Sequence, residues 1–183
     1  NNNQEIDSQI QIALKNTNSL KDLLNQILDL QKLDEQMLGL DLSEIEIIAF
    51  CKDIVTSFEG YCYQSNCKLI FESNISEATV ELDQIRVRSI INNLLSNAFK
   101  YNNEGGFVNF KLEVEASQLK LEISDNGIGI STENLKKLGE RYYQIEQSNS
   151  SVEGTGIGLA YVKELVQLMK GSIDISSVEK KGT

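Results

Sequence analysis

The sequence predicts an α/β fold: a two-layer α/β sandwich with a mixed, mostly antiparallel sheet, preceded by a long bundle-forming helix. Three patterns lead to this prediction: a heptad repeat near the start, an alternating hairpin in the middle, and amphipathic helices around that hairpin. With 183 residues, the chain is long enough for one domain and an appendage. The predicted parts are residues 1–35 and residues 36–183.

The first predicted element is a helix over residues 5–34. Its seam positions recur at alternating spacings of four and three residues, and all but Thr17 and Gln31 are apolar: Ile6, Ile10, Ala13, Thr17, Leu20, Leu24, Ile27 and Gln31. A helix of about 30 residues is ~45 Å long and cannot bury this seam against itself. The pattern favours a helical bundle with partner helices, and the alternative is a long helix packed on its own domain.

The later elements follow from changes in apolar periodicity. Val108 to Val114 and Leu119 to Ile123 alternate with polar residues, which predicts an antiparallel hairpin with one buried face. Residues 131–153 have no clear period and are predicted to form a mobile loop with some helix. The other predicted elements are strands at 36–42, 68–74, 79–82 and 172–178, and helices at 44–62, 83–100 and 156–170.

Composition excludes several function classes. The net charge of −10 argues against nucleic acid as a partner, and no apolar run is long enough to cross a bilayer. We therefore expect a soluble chain without direct membrane contact. The chain has no histidine, which removes the most common general base and metal ligand. Its three cysteines, Cys51, Cys62 and Cys67, lack CxxC spacing and are interpreted as reduced core thiols.

Polar side chains line one side of the predicted helix 83–100. Asn93, Asn97 and Lys100 are spaced four and three residues apart and therefore share a face. An amide oxygen such as that of Asn97 can bind Mg²⁺, and a lysine can contact phosphate. Taken alone, these residues are more typical of an ordinary solvated helix face.

Two glycine-rich segments extend this pattern. Asp125 continues the inward-facing positions of its strand, where a buried carboxylate needs a donor such as the 6-amino group of adenine. Gly127 and Gly129 follow and would allow the backbone to approach a flat ring. Three further glycines, Gly154, Gly156 and Gly158, precede and open a helix, whose free N–H groups form an anion site. Their spacing fits neither a dinucleotide fingerprint nor a P-loop.

Four stretches together resemble the sequence boxes of sensor histidine kinases, within the gyrase, Hsp90, histidine kinase and MutL superfamily. NLLSNAFKY at 93–101, DNGIGI at 125–130 and GTGIGL at 154–159 resemble the N, G1 and G2 boxes. LGERYYQIEQS at 138–148 is similar to the F box and the start of the ATP lid. The resemblance spans about residues 5–183. It implies a Bergerat-type ATP-binding fold, with residues 1–35 as the second helix of the dimerisation and phosphotransfer hairpin.

The resemblance implies the following site. Asn97 would bind Mg²⁺, Lys100 and Tyr101 would contact phosphate and ribose or adenine, and Asp125 would bind adenine. Asn93, Asn97 and Lys100 would be the catalytic residues. Further ATP contacts would come from Asn93, Gly127, Gly129, Ile130, Tyr142, Gly154, Thr155, Gly156, Gly158 and Leu159.

The implied activity is transfer of the γ-phosphate of Mg-ATP to a histidine on the hairpin of a homodimer, with a response regulator receiver domain as a further partner. The resemblance places that histidine upstream of residue 1, the last strand after Thr183, and the parent protein in a membrane as a sensor. Relatives that hydrolyse ATP carry glutamate at position 93, where asparagine cannot take a proton. Gly139 stands where the F box usually has phenylalanine, so Tyr142 is expected to act as the anchor. A non-catalytic dimerising module and an ATP-hydrolysing relative remain as alternatives.

Overall fold

The structure, a computed structural model, describes residues 2–115, 118–144 and 155–183. It divides into two compact units, Asn1–Gly39 and Leu40–Thr183. The described helices are α1 (Asn2–Asp34), α2 (Ile47–Ser57), α3 (Glu59–Ser65), α4 (Gln84–Lys100), α5 (Thr132–Lys137) and α6 (Gly158–Leu168). The described strands are β1 (Ser43–Glu46), β2 (Lys68–Ser73), β3 (Thr79–Leu82), β4 (Phe107–Glu115) and β5 (Gln118–Asp125).

The first unit consists of helix α1 and the turn that ends it. Gln36 adopts a left-handed φ of 56°, and the Met37 N–H donates to the Lys32 carbonyl over 2.8 Å, which terminates the helix. Several apolar side chains along α1 are between 49 and 58% exposed: Ile6, Ile10, Leu14, Leu20, Leu24 and Leu28. The predicted helix is confirmed, while its role in a hairpin stays a prediction.

The second unit is built on two small sheets. In one, β1 pairs antiparallel with β3. In the other, the order is β2-β4-β5, with β2 parallel to β4 and β4 antiparallel to β5. The α/β fold class and the mixed, mostly antiparallel strand pairing are therefore confirmed. The expected continuous sheet is divided into these two parts in the described structure.

The core lies on one face of the three-stranded sheet. Val108, Phe110 and Leu112 of β4 are fully buried and belong to one cluster with apolar residues of α2 and α4. Phe71 of β2 packs against Phe110 with ring centroids 5.2 Å apart. The alternate residues of the hairpin carry charge on the opposite face, including an ion pair of 3.2 Å between Lys120 and Glu113. This alternation fixes the strand register, because a shift of one residue would bury the charges.

The structure corrects two predictions between residues 36 and 62. The strand predicted at 36–42 lies later, as β1, because Ser43–Glu46 pairs with β3. The helix predicted at 44–62 begins only at Ile47, since the Glu46 side chain accepts hydrogen bonds from the N–H groups of Ile48 and Ala49. It also divides at Phe58, whose ring stacks on Phe99 with centroids 5.7 Å apart.

A third correction concerns residues 172–178, where the described structure contains no strand. The Ser177 hydroxyl instead donates to the Gly182 carbonyl over 2.7 Å, and Val178 forms an isolated bridge with Gly182. Residues 178–182 therefore form a tight turn held by side-chain and backbone bonds, and the residues before it have no regular secondary structure.

Helix α4 has a well-defined start at Asp83. This buried carboxylate accepts hydrogen bonds from the Arg86 N–H and the Asp41 N–H, each over 3.0 Å. A side-chain cap of this kind satisfies backbone donors that the first helical turn leaves unpaired. Asp83 therefore orients the helix that carries the predicted site residues. Within the described ranges, no helix has the length and apolar character needed to span a lipid bilayer.

Candidate functional site

Helices α4 and α6 approach each other closely where two predicted site residues meet. The Asn93 amide nitrogen donates to the Ser89 carbonyl over 2.7 Å. Its amide oxygen lies so close to Gly158 that a Cβ atom at position 158 would be 2.6 Å from it. A side chain at the first residue of α6 would therefore have to displace the Asn93 amide.

A second contact between these helices involves residues that the sequence analysis did not identify. The Arg86 guanidinium of α4 donates to the hydroxyl of Tyr161 of α6 over 3.4 Å. Tyr161 is among the largest fully buried side chains. A buried hydroxyl needs a hydrogen-bond partner, so this pair fixes the relative position of α4 and α6. Their separation of 75 residues gave no local signal of the contact.

The last two turns of α4 carry the predicted metal and phosphate ligands. Asn97 is half-buried, and its side chain has no hydrogen-bond partner among the residues that the structure describes. The Lys100 ammonium lies 5.1 Å from the centroid of the Tyr101 ring. The Tyr101 N–H donates to the Asn97 carbonyl over 3.0 Å, so Tyr101 ends the helix. Asn97 and Lys100 therefore lie on the same side of α4, as the spacing predicts.

Asp125 is half-buried at the end of β5. Its carboxylate accepts a hydrogen bond from the Gly127 N–H over 2.8 Å, while its own N–H donates to the Thr183 carbonyl over 2.9 Å. Burial raises the pKa of the Asp125 carboxyl, and backbone hydrogen bonds from Gly127 and Thr183 partly oppose that rise. When ionised, the group can only accept hydrogen bonds, which suits it to an amine donor.

Gly127 and Gly129 contact protein backbone on the side where a Cβ atom would stand. At position 127, the Cβ would collide with the Tyr101 carbonyl oxygen, which accepts a bond from the Ile128 N–H over 3.1 Å. Gly129 has a left-handed φ of 64°, and a Cβ there would collide with the carbonyl of Val178. The structure thus gives these glycines a role in backbone packing, while their approach to a flat ring stays a prediction.

The segment after β5 is held by the C-terminal turn. The Ile130 N–H donates to the Ser177 hydroxyl over 2.8 Å, and the Lys180 N–H donates to the Ile128 carbonyl over 2.6 Å. The sequence analysis missed Ser177 and Lys180, because their partners are about fifty residues away.

The glycine segment before α6 is described from Thr155 onward, and Gly154 lies outside the described residues, as do residues 145–153 of the predicted loop. The Thr155 hydroxyl accepts a hydrogen bond from the Ile157 N–H over 3.4 Å. Ile157 provides no side-chain cap for α6, so the first N–H groups of the helix, including those of Gly158 and Leu159, have no partner from the N-cap side chain. This end of α6 is suited to a phosphate.

The structure corrects the expectation that the Tyr142 ring is an anchor. Tyr142 is 70% exposed and has a left-handed φ of 67°. Its contact is made by the backbone, since its N–H donates to the Gly156 carbonyl over 3.0 Å. The neighbouring Tyr143 packs instead, and its hydroxyl donates to the Asn134 amide oxygen over 3.0 Å.

The polar groups described above fit a nucleotide with its divalent cation. Helix α4 carries the amide of Asn97 and the ammonium of Lys100, and Asn93 of the same helix lies against Gly158, the first residue of α6. The described residues include no group of three or more Cys, Asp or Glu side chains that could hold a metal ion. A Mg²⁺ ion at Asn97 would therefore take most of its oxygen ligands from phosphates and water, which is its usual preference.

Comparison with known proteins supports this interpretation. Residues 82–183 match the family model described as histidine kinase-, DNA gyrase B-, and HSP90-like ATPase. The chain is 33% identical over 170 residues to histidine kinase P4 of Formosa agariphila, covering 91% of this chain and 12% of that protein. It is 32% identical over 177 residues to the sensor histidine kinase WalK of Bacillus subtilis, covering 95% of this chain and 29% of that protein. The chain thus spans less than a third of these two relatives.

A solved structure supports the fold independently. Full-length ShkA in complex with AMPPNP superposes with a TM-score of 0.78 at 21% identity, covering 90% of this chain and 34% of ShkA. At this identity, the similarity establishes the shared fold and leaves the residue roles to be argued from the site itself.

Proposed function

Because the chain belongs to the family of histidine kinase-, DNA gyrase B- and HSP90-like ATPases, we propose that it binds Mg-ATP and serves as the catalytic domain of a histidine kinase. The observation that carries this proposal is the close approach of Asn93 to Gly158. It brings the polar face of α4 beside the open amino end of α6. A chain of phosphates can then contact an ammonium group, an amide oxygen and helix N–H groups at once.

Each part of the nucleotide has a proposed partner. The half-buried Asp125 carboxylate accepts a hydrogen bond from the adenine amino group. Tyr101 lies beside Asp125, and its carbonyl accepts a hydrogen bond from the Ile128 N–H. Lys100 and the N–H groups of Gly158 and Leu159 contact phosphate oxygens. Asn97 holds the Mg²⁺ ion, which supplies neutralisation of phosphate charge when bound. We also propose nucleotide contacts from Ile130, Thr155, Gly156, Gly127, Gly129 and Tyr142, whereas Gly154, the remaining predicted contact, lies outside the described residues.

The identity of residue 93 favours phosphotransfer over hydrolysis. Its amide nitrogen is already bonded to the Ser89 carbonyl, and an amide has no basic site at neutral pH. Water at this position therefore has no proton acceptor on Asn93. We propose that catalysis consists mainly of positioning the γ-phosphate and neutralising its charge with Lys100 and helix N–H groups.

The acceptor and the partners are proposed from the family. The γ-phosphate would pass to a histidine on the dimerisation hairpin of a homodimer and then to a response regulator receiver domain. Residues 1–35 would form the second helix of that hairpin, consistent with the exposed apolar side chains along α1. The chain would act in the cytoplasm, within a parent protein that is a membrane sensor.

Radiolabelled ATP tests the proposed phosphotransfer. The chain contains no histidine, so incubation with γ-labelled ATP and Mg²⁺ should leave it without acid-labile label. A longer form that includes a preceding helix with a histidine should become labelled. Steady-state phosphate release by the chain alone would instead favour the ATP-hydrolysing alternative. Failure of the longer form to become labelled would favour the non-catalytic dimerising module.

A further inference from the structure

We propose that Lys163 is a positioning residue, which fixes the segment 138–143 against α6 by occupying the space above Gly139. Residues 138–143 precede residues 145–154 in the chain. The start of α6 is the end of the candidate site at which we propose that phosphate binds. The role goes beyond the proposed nucleotide contacts, because Lys163 acts through the backbone of another segment.

The contact is defined by one hydrogen bond and by close packing. The Lys163 ammonium donates to the Leu138 carbonyl over 2.6 Å. A Cβ atom at Gly139 would lie 2.5 Å from Cε of Lys163 and 2.7 Å from its Cδ, and would also collide with its Nζ. Three consecutive atoms of one side chain therefore cover the α-carbon of Gly139, so any side chain at position 139 would require Lys163 to move.

Two neighbouring contacts join the same segment to α6 and to the residues before it. Arg141 forms an ion pair of 3.4 Å with Glu164, the residue after Lys163. The Tyr142 N–H donates to the Gly156 carbonyl over 3.0 Å. Lys163 is the innermost of these connections, since it is half-buried and bonds to backbone, whereas the Arg141–Glu164 pair is more exposed and weaker.

This arrangement explains the glycine that departs from the phenylalanine expected at position 139. The φ of Gly139 is +88°, a conformation that favours glycine, and the space in front of it is filled by the lysine stem. The lysine thus replaces an aromatic anchor by packing and by a charge-assisted hydrogen bond. Because its ammonium is directed at the Leu138 carbonyl, Lys163 is assigned a structural task rather than a phosphate contact.

A double-mutant cycle tests the packing without any nucleotide. Gly139→Ala should lower the thermal midpoint by about 3 °C more in the native background than in the Lys163→Ala background. The strain of a left-handed alanine is common to both backgrounds and cancels, so the difference reports the collision with Lys163. Equal effects of Gly139→Ala in the two backgrounds would overturn the proposal.

A second experiment measures directly how firmly Lys163 holds residues 139–144, and its nucleotide-binding part rests on the proposed function. Lys163→Met keeps an unbranched stem but removes the donor, whereas Lys163→Arg keeps a donor. Lys163→Met should raise hydrogen exchange of the amides at 139–144, leave β4 and β5 unchanged, and weaken binding of trinitrophenyl-ATP about fivefold or more. Lys163→Arg should bind within about twofold of the native chain, and Lys136→Met, an exposed lysine of α5, should match it.

The two experiments separate failure of this proposal from failure of the proposed function. If the native chain binds no nucleotide, the proposed function is wrong, and the exchange data and the cycle still decide the role of Lys163. Unchanged exchange at 139–144 in Lys163→Met would overturn the proposal. A general rise in exchange across β4 and β5 would also overturn it, because that result indicates a purely global effect on stability.

Discussion

Asn93 and Gly158 meet where α4 approaches the start of α6, and a Cβ atom at position 158 would lie 2.6 Å from the Asn93 amide oxygen. The first prediction follows from this distance. Gly158→Ala should destabilise the chain by about 1–2 kcal/mol, since the added methyl group must displace Asn93 or shift α6. Chemical denaturation would measure the free energy of unfolding.

The control for this prediction removes the partner. In the Asn93→Ala background, the cost of Gly158→Ala should fall by at least about half, because the neighbours are directly coupled. An unchanged cost would mean that the approach of the two helices is not limited by Asn93.

The second prediction concerns the pH dependence of stability at Asp125. Burial raises the pKa of this carboxyl in the folded chain, so its contribution to stability is full below the unfolded pKa and is lost as pH rises through the folded pKa. At pH 7, Asp125→Asn should therefore be more stable than the native chain, and the gap should close as the pH falls to about 4. Thermal unfolding across this range would measure the gap. A less stable variant at pH 7 would show that the hydrogen bonds from Gly127 and Thr183 outweigh burial.

The third prediction concerns the cap of α4. Asp83→Ala should cost about 2–3 kcal/mol, because two backbone N–H groups, those of Arg86 and Asp41, lose their acceptor. Asp83→Asn retains one acceptor oxygen and should cost less than half as much. Urea denaturation of both variants would check this order, and equal losses would contradict the capping role.

The fourth prediction concerns thiol reactivity. Burial raises the pKa of the Cys51 thiol to about 12, whereas Cys62 is only partly buried. Because the thiolate is the reactive form, an aromatic disulfide reagent at pH 8 should modify Cys62 first and reach Cys51 only on unfolding. Cys62→Ser should remove the fast phase, and a fast phase that persists in this variant would contradict the assignment.

Sequence patterns predicted the elements whose signal is local. The alternating hairpin of β4 and β5 and the apolar stripe of α4 are confirmed, because one buried face determines each of them. The start of α2 was placed wrongly, since Ile47 and Ile48 continue an apolar run that strand pairing ends at Glu46. The strand predicted at 172–178 was also wrong, because this part of the chain is held by hydrogen bonds to the distant residues Ile128 and Ile130.

The same distinction between local patterns and distant contacts applies to the candidate site. The motif residues of α4 and the start of α6 were identified from their spacing and from the resemblance to the kinase sequence boxes, and the structure brings Asn93 and Gly158 together. The residues that support them, Arg86 with Tyr161 and Lys163 with Gly139, were not identified. Each of these pairs joins residues far apart in the sequence, and a single sequence carries no signal of such contacts.

Calorimetric titration with ATP in the presence of Mg²⁺ tests the central claim of a nucleotide site at Asp125 and Asn97 most directly. We predict one site with micromolar affinity, weakened at least about tenfold in Asp125→Asn through loss of a charged hydrogen-bond acceptor. Asp53→Asn makes the same chemical change at an exposed carboxylate of α2 and should bind like the native chain. Absence of binding to the native chain, or equal affinity in Asp125→Asn, would contradict the claim.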